Sequence, residues 1–186
     1  MMQMNEHYDV VMIGAGLAGL SLSRQLLLNT DKTILVVEKH PTLPAKRQKV
    51  GESLVQIGGY YFSKVLDMEE HLLCEHFMKY NLRFYWKSAA RDNSRFEDYG
   101  QSYIRPFSNI ASYQLDRNKL EGELLRLNDQ YDNFTCLTSV RELDVKLHEG
   151  PTPHTMLFSH AGEQHTVQAD WLVDTTGRSR FLSRRM

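Results

Sequence analysis

The chain has 186 residues, enough for one hydrophobic core or slightly more. Its 22 lysines and arginines against 23 aspartates and glutamates leave a net charge of −1, so no global field draws nucleic acid or an acidic membrane to it. A hydrophobic content of 41% suits a soluble globular protein, and no uninterrupted apolar stretch is long enough to span a bilayer. The two cysteines, Cys74 and Cys136, make no disulfide framework and fit a reducing cytoplasm.

The first predicted element is the most informative. Tyr8-Asp-Val-Val-Met-Ile13 is an apolar strand that runs into a Gly-x-Gly-x-x-Gly turn, Gly14-Ala15-Gly16-Leu17-Ala18-Gly19, and on into a leucine-rich helix. A second strand, Thr33-Ile-Leu-Val-Val-Glu38, ends on an acid about 20 residues past the last glycine, which completes a βαβ dinucleotide-binding unit. Gly14 permits the tight turn, Gly16 lets backbone N–H groups approach a pyrophosphate, and Gly19 lets the helix lie against the strand. The positive end of the helix faces the phosphates. Glu38 is placed to accept hydrogen bonds from the adenosine ribose and to repel a 2′-phosphate. The apolar run from Val10 to Leu28 is no signal sequence, because Glu6 and Asp9 precede it and glycines and Arg24 interrupt it.

A loop follows from His40 to Val50, with a basic cluster at Lys46, Arg47 and Lys49. A helix is predicted from Ser53 to about Leu66. Gly58 and Gly59 inside it point to close approach of another backbone or a ligand, or to a simple break. A short helix is expected around Met68–Glu75, then a strand over Asn81–Trp86. Residues 88–100 read as loop, with short strands at Ser102–Ile104 and Ala111–Gln114. Asp116 resembles the N-cap of a helix over Arg117–Asn128, where Leu120, Leu124 and Leu127 share a face. Thr135–Leu147, Thr155–His160 and Glu163–Ala169 read as a β-meander. Asp170–Asp174 is the closing strand, followed by Thr-Thr-Gly177-Arg-Ser-Arg180. His71, Cys74 and His76 lie close in sequence but lack a second ligand pair at zinc spacing, so no metal site is expected.

Two later motifs extend the picture: Asp116-Arg117-x-x-Leu120 opening a leucine-rich helix, and Asp174-Thr-Thr-Gly177 after an apolar strand. With the first glycine motif and the meander, they resemble the FAD-dependent monooxygenase superfamily of the hydroxylase type. That resemblance implies an α/β, Rossmann-like FAD-binding domain of the glutathione reductase-like type with a β-meander. A narrower resemblance rests on Lys49-Val50-Gly51-Glu52-Ser53 and on Phe77-Met-Lys79-Tyr-Asn-Leu-Arg-Phe84-Tyr-Trp86. The first is similar to the Gly-Glu-Ser/Ala turn of flavin-dependent halogenases and geranylgeranyl reductase-like flavoproteins. The second is similar to the halogenase stretch that holds the active-site lysine, with Tyr80-Asn81 where glycines often stand.

The resemblance implies a reaction in which reduced flavin, oxygen and halide yield hypohalous acid. A lysine then hydrogen-bonds this species, or forms a haloamine, and aims it at an electron-rich aromatic substrate; Lys79 is the candidate. Glu52 is either a buried carboxylate supporting that lysine or the flavin-side loop, or a first-turn helix acid. The cofactor-binding set is Gly14, Ala15, Gly16, Ala18, Gly19, Glu38, Lys39, Arg47, Ser53, Arg117, Val140, Asp174 and Gly177. In it Arg47 and Arg117 pair with the pyrophosphate and the backbone of Val140 with the adenine. A separate flavin reductase is the expected partner, since no second nicotinamide-binding unit is visible. Residues 1–186 are read as one incomplete FAD-binding domain, with 80–115 a substrate-side insertion and the fold truncated before its carboxy-terminal half. The Trp-x-Trp-x-Ile-Pro signature that separates halogenases from monooxygenases is not among these residues. An aromatic monooxygenase, a geranylgeranyl reductase-like flavoprotein, and a non-catalytic FAD-binding fragment or split subunit are the alternatives.

Overall fold

The computed structural model describes residues 5–45, 49–80, 82–103 and 111–186. It divides into two compact units: Met1–Val50 with Arg117–Met186, and Gly51–Asp116.

The first unit is built on strand β1 (His7–Ile13), helix α1 (Leu17–Asn29) and strand β2 (Ile34–Val37). All of β2 and most of β1 are buried, as continuous apolar runs in a parallel sheet require. Pairing in register joins Val10 to Ile34 and Ile13 to Val37. Strand β7 (Phe134–Leu137) lies parallel on the outer side of β2, and strand β10 (Glu163–Asp174) lies parallel on the other side of β1. Strands β8 (Arg141–Lys146) and β9 (His154–His160) continue the sheet antiparallel, giving the order β7-β2-β1-β10-β9-β8. The fold is therefore α/β with a mixed sheet.

Two expectations are corrected by this topology. Thr135–Leu147 is not one meander strand. It splits into β7 and β8 at Ser139, whose φ of 58° turns the chain between them. The last meander strand and the closing strand are one: β10 pairs with β9 through Glu163–Ala169 and with β1 through Gln168–Asp174. The antiparallel and parallel halves of the sheet share this one strand.

Helix α1 covers one face of the sheet, with Ser23 Oγ 3.4 Å from Met12 Sδ. Helix α4 (Arg117–Asn128) packs against α1, and buried Asn128 donates its amide to the Leu20 carbonyl at 3.0 Å. The opposite face gathers Val11, Ile13, Leu35, Val37 and Leu137 with Met156, Phe158 and Val167 of the meander, and Phe181 and Leu182 pack against them.

In the second unit the helix predicted from Ser53 begins only at Gln56. Gly51–Leu54 is extended along strand β6 (Ser112–Gln114): Leu115 N–H donates to the Glu52 carbonyl at 2.6 Å and Leu54 N–H to the Tyr113 carbonyl at 2.9 Å. Glu52 is accordingly not a helix acid. Helix α2 (Gln56–Tyr60) widens into a π-turn over Tyr61–Val65, closed by Leu66 N–H to the Tyr61 carbonyl at 3.0 Å. Gly59 marks a backbone approach, since a side chain there would overlap the Ala111 carbonyl. Helix α3 (Glu69–Glu75) forms as expected. Strand β3 (Phe77–Lys79) then pairs antiparallel with β6, and strand β4 (Arg83–Trp86) with strand β5 (Gly100–Tyr103). Arg83 sits over Tyr103 across the hairpin at 4.4 Å, and Phe84 stacks on Trp86 along β4 at 5.8 Å. Asn81 and Ile104, the outer ends of two predicted strands, lie outside the described residues.

Asp9 fastens β1 to the segment entering β2. It accepts from Lys32 Nζ at 2.6 Å and from Thr33 N–H and Oγ1 at 2.8 Å each. Lys32 first, and then the Thr33 N–H, hold its carboxyl down from 3.8 to about 2. A carboxyl depressed on folding contributes stability above its unfolded pKa and loses it as the pH falls through the folded value. Urea midpoints compared at about pH 5 and about pH 2.5 should therefore differ less in Asp9→Asn than in the parent. An equal acid dependence in both would show that Asp9 is not the group responsible.

Candidate functional site

The glycine turn is fixed by the end of β10. Gly14 has φ 112° and donates its N–H to the Val37 carbonyl at 2.8 Å. Thr175 N–H donates to the Ile13 carbonyl at 3.0 Å. The Thr175 hydroxyl lies 2.9 Å from the Ile13 carbonyl and 2.7 Å from that of Gly14, sharing its proton between them. A Cβ on Gly14 would meet the Thr175 carbonyl at 2.8 Å, and one on Gly19 would overlap the Gly14 carbonyl. Gly16 differs: nothing lies within 4 Å of where its Cβ would stand.

Gly16 is also the N-cap of α1. It makes no side-chain cap, and the first turn of α1 holds no acid. The positive end of the helix thus carries neither of the two devices that usually satisfy it. Ala18 lies in that first turn. Ala15 is buried and gives its N–H to Glu38 Oε2 at 3.0 Å. The other carboxylate oxygen of Glu38 accepts the His40 N–H at 3.0 Å. Glu38 therefore lies against the glycine turn and bridges it to the loop after β2.

The remaining cofactor candidates scatter more widely. Lys39 is exposed, and its carbonyl accepts from the Arg141 guanidinium. Val140 lies in the connection before β8 rather than on a strand, and its N–H is given to the Glu38 carbonyl at 3.0 Å. Arg47 lies outside the described residues. Arg117 donates to Glu121 Oε1 at 2.5 Å and to the Val50 carbonyl at 2.6 Å. Glu121, its side chain 4% exposed, also pairs with Lys49, so two cations flank one buried carboxylate. Sequence reasoning missed Glu121. Its spacing from Arg117 has the form of an ordinary surface i,i+4 pair, and only the fold brings Lys49 to it.

Asp174 closes the turn after β10. Its carboxylate accepts Thr176 Oγ1 at 2.6 Å, Thr176 N–H at 3.0 Å and Leu182 N–H at 2.8 Å. Burial pushes this carboxyl up, but the three donors outweigh it and hold it below its usual range. Gly177 follows at φ 61°, with open space around it.

In the second unit Lys79 ends β3 and precedes the aromatic strand β4 by a few residues, and it is half-buried. Its Nζ donates to Ser53 Oγ at 2.7 Å, so two candidates expected in different roles meet. Glu52 lies beside Ser53 on the same extended segment.

His76 Nδ1 accepts the Asp116 N–H at 3.1 Å, which leaves the ring proton on Nε2, 3.2 Å from His71 Nε2. That tautomer turns a proton rather than a lone pair toward any metal. Among the described residues no group of three or more His, Cys, Asp or Glu could hold a metal ion. Both cysteines are free thiols. Burial first, then the charges of Asp129 and Glu38, push Cys136 up to about 12, which makes it a poor nucleophile.

Known proteins resemble this chain over nearly its whole length. Flavin-dependent halogenase chlA of Dictyostelium discoideum is 29% identical over 96% of this chain and 33% of its own length. The FAD-dependent oxidoreductase LodB of Marinomonas mediterranea is 26% identical over 96% of this chain and 45% of its own. The crystal structure of CmlS, a flavin-dependent halogenase, superimposes with a TM-score of 0.73 at 22% identity, over 98% of this chain and 31% of that one. The relatives of this chain are flavin-dependent halogenases and FAD-dependent oxidoreductases. The chain spans between a third and a half of the curated relatives' length. No family model matches it. No helix among the described residues is long and apolar enough to cross a membrane.

Packing separates the three glycines of the turn. Gly19→Ala should lose about 2–3 kcal/mol of stability, because both the Gly14 carbonyl and the Thr175 hydroxyl would have to move. Gly16→Ala should stay within about 0.5 kcal/mol of the parent. Urea denaturation of the two variants checks the ordering, and equal losses would contradict it.

Proposed function

We propose that this chain is the adenosine- and pyrophosphate-binding part of an FAD-dependent halogenase. In this reading the fold is a Rossmann-like FAD-binding domain of the glutathione reductase-like type. The observation that carries the proposal is the N-terminus of α1, uncapped, without an acid in its first turn, and open at Gly16. A pyrophosphate suits it, since exposed helix N–H groups and the helix dipole favour an anion there. Glu38 fits the adenosine ribose. Its two oxygens each accept one N–H within the chain, and a carboxylate has about four lone-pair sites, so it can still receive ribose hydroxyls.

Bound FAD, once reduced, supplies with oxygen and halide an oxidised halogen. The chain's own residues do the rest. Gly14 and Gly19 keep the turn closed. Ala15, Ala18 and Lys39 line the same βαβ unit, and the Val140 carbonyl, rather than its N–H, which the Glu38 carbonyl takes, would meet the adenine. Arg117, held by Glu121, and Arg47 place positive charge for the pyrophosphate. Asp174 keeps the Thr176-Gly177 turn in shape beside the cofactor. Lys79 donates a hydrogen bond to the hypohalous oxygen and orients the halogen toward an electron-rich aromatic ring, with Glu52 beside it. Residues 80–115 belong to the substrate side, and a separate flavin reductase delivers the reducing equivalents. The chlA relative, 29% identical over 96% of this chain, supports halogenation, while LodB aligns over the same share at 26%.

Two outcomes test this. Gly16→Ala should bind FAD at least about tenfold more weakly at unchanged stability, measured by flavin fluorescence titration. Unchanged affinity would remove the pyrophosphate from this turn. Lys79→Ala should stop halogenated product from forming while flavin oxidation, followed as oxygen uptake, continues. Product formed at the parent rate would remove Lys79 from the reaction.

A further inference from the structure

Ser53 and Lys79 lie 26 positions apart in sequence, and β6 brings them together. Opposite residues of an antiparallel pair share a face. Lys79 is opposite Ser112 and Phe77 opposite Gln114 on one edge of β6, while Ser53 is opposite Gln114 on the other edge. Ser112 and Gln114 alternate onto the same face. Lys79 and Ser53 therefore project from one face, from opposite edges of the same central strand. The lysine crosses β6 to put its Nζ 2.7 Å from Ser53 Oγ.

The serine is held in place by its backbone. Bonds from Leu115 N–H to the Glu52 carbonyl at 2.6 Å and from Leu54 N–H to the Tyr113 carbonyl at 2.9 Å fix it on both sides. Tyr113 is buried beneath the ribbon, and Gly59 of α2 closes against the Ala111 carbonyl at its edge.

We propose that Ser53 is a positioning residue that holds the Lys79 amine across β6 with its other two N–H donors available to an incoming acceptor; this rests on the halogenase reading given above. A hydroxyl suits the task better than a carboxylate. It accepts from an ammonium and donates to a neutral amine, so it keeps hold of the lysine in either protonation state. A carboxylate would favour the charged form alone. Fixing the amine also removes rotamers from a flexible four-carbon stem before the reaction begins.

The test compares the parent protein with Ser53→Ala and Ser53→Thr. One readout is the rate of Lys79 acetylation by acetic anhydride, followed by peptide mass spectrometry and scaled to the other lysines. The second is kcat and KM for halogenation over a panel of phenols, indoles and pyrroles. Ser53→Ala should label Lys79 severalfold faster and lose about tenfold in kcat at unchanged KM. Ser53→Thr, which keeps the hydroxyl on an extended residue, should restore both. Labelling and kcat unchanged in Ser53→Ala would overturn the positioning role. Labelling that responds to Ser53 in a protein that halogenates nothing on the panel would instead remove the halogenase reading, leaving a structural pair without a reaction to serve.

Discussion

The contact on which the first unit depends is the one between Thr175 and the glycine turn. The ends of β1 and β10 are 161 positions apart in sequence, yet they meet with no room for a side chain. Thr175 gives its N–H to Ile13 and shares its hydroxyl between Ile13 and Gly14. Gly19 then sits on the Gly14 carbonyl, with the Thr175 hydroxyl 3.0 Å from where its Cβ would be. The direction of α1, the exit of β10 and the opening at Gly16 all follow from this junction. Because β10 also carries the meander, a disturbance here would pass to both halves of the sheet.

Two carboxylates organise the charges of the first unit, and they do so differently. Glu38 is held by backbone donors, Ala15 N–H and His40 N–H, which keep their positions as long as the strands do. Glu121 is held by two cationic side chains, Lys49 and Arg117, from opposite sides of the second unit in the sequence. Burying three charges is costly unless each is paired, and loss of one partner of a buried set typically costs about 3–5 kcal/mol. This cluster ties the loop before Val50 to the first turn of α4. Arg117 is thereby fixed in direction, which any role toward a phosphate requires.

The βαβ unit was readable because its signals are local: an apolar strand, a glycine spacing, an acid at the right distance. Helix α4 was readable from its leucine period over Arg117–Asn128. Long-range pairing was not. Ser53 looked like the start of a helix because Val55 to Leu66 has helical composition, and nothing local reveals that β6, about 60 residues later, takes Gly51–Leu54 as a neighbour. The split at Ser139 was hidden for a related reason. A non-glycine residue in the left-handed region leaves no mark in composition. The meander strand ending at Ala169 and the closing strand starting at Asp170 are continuous, and only pairing with both β9 and β1 reveals it. At an exposed position beside His7, Asp170 simply accepts a hydrogen bond at 2.9 Å.

The glycine motif itself divides on inspection. Gly14 and Gly19 are required by packing, one by its positive φ and both by the backbone atoms facing them. They would be needed in any protein with this junction, ligand or not. Gly16 is not required by packing. Its φ of −84° and ψ of −172° suit any residue, and the space beside it is open. As an N-cap it is weaker by a few tenths of a kcal/mol than serine, aspartate or asparagine, whose side chains would satisfy the helix N–H groups. Neither sterics nor capping favours glycine at this position. A ligand that must come close to the backbone does, and an anion is the ligand that an uncapped helix end with no acid in its first turn attracts. The case for a pyrophosphate therefore rests less on the count of three glycines than on the one that the fold does not need.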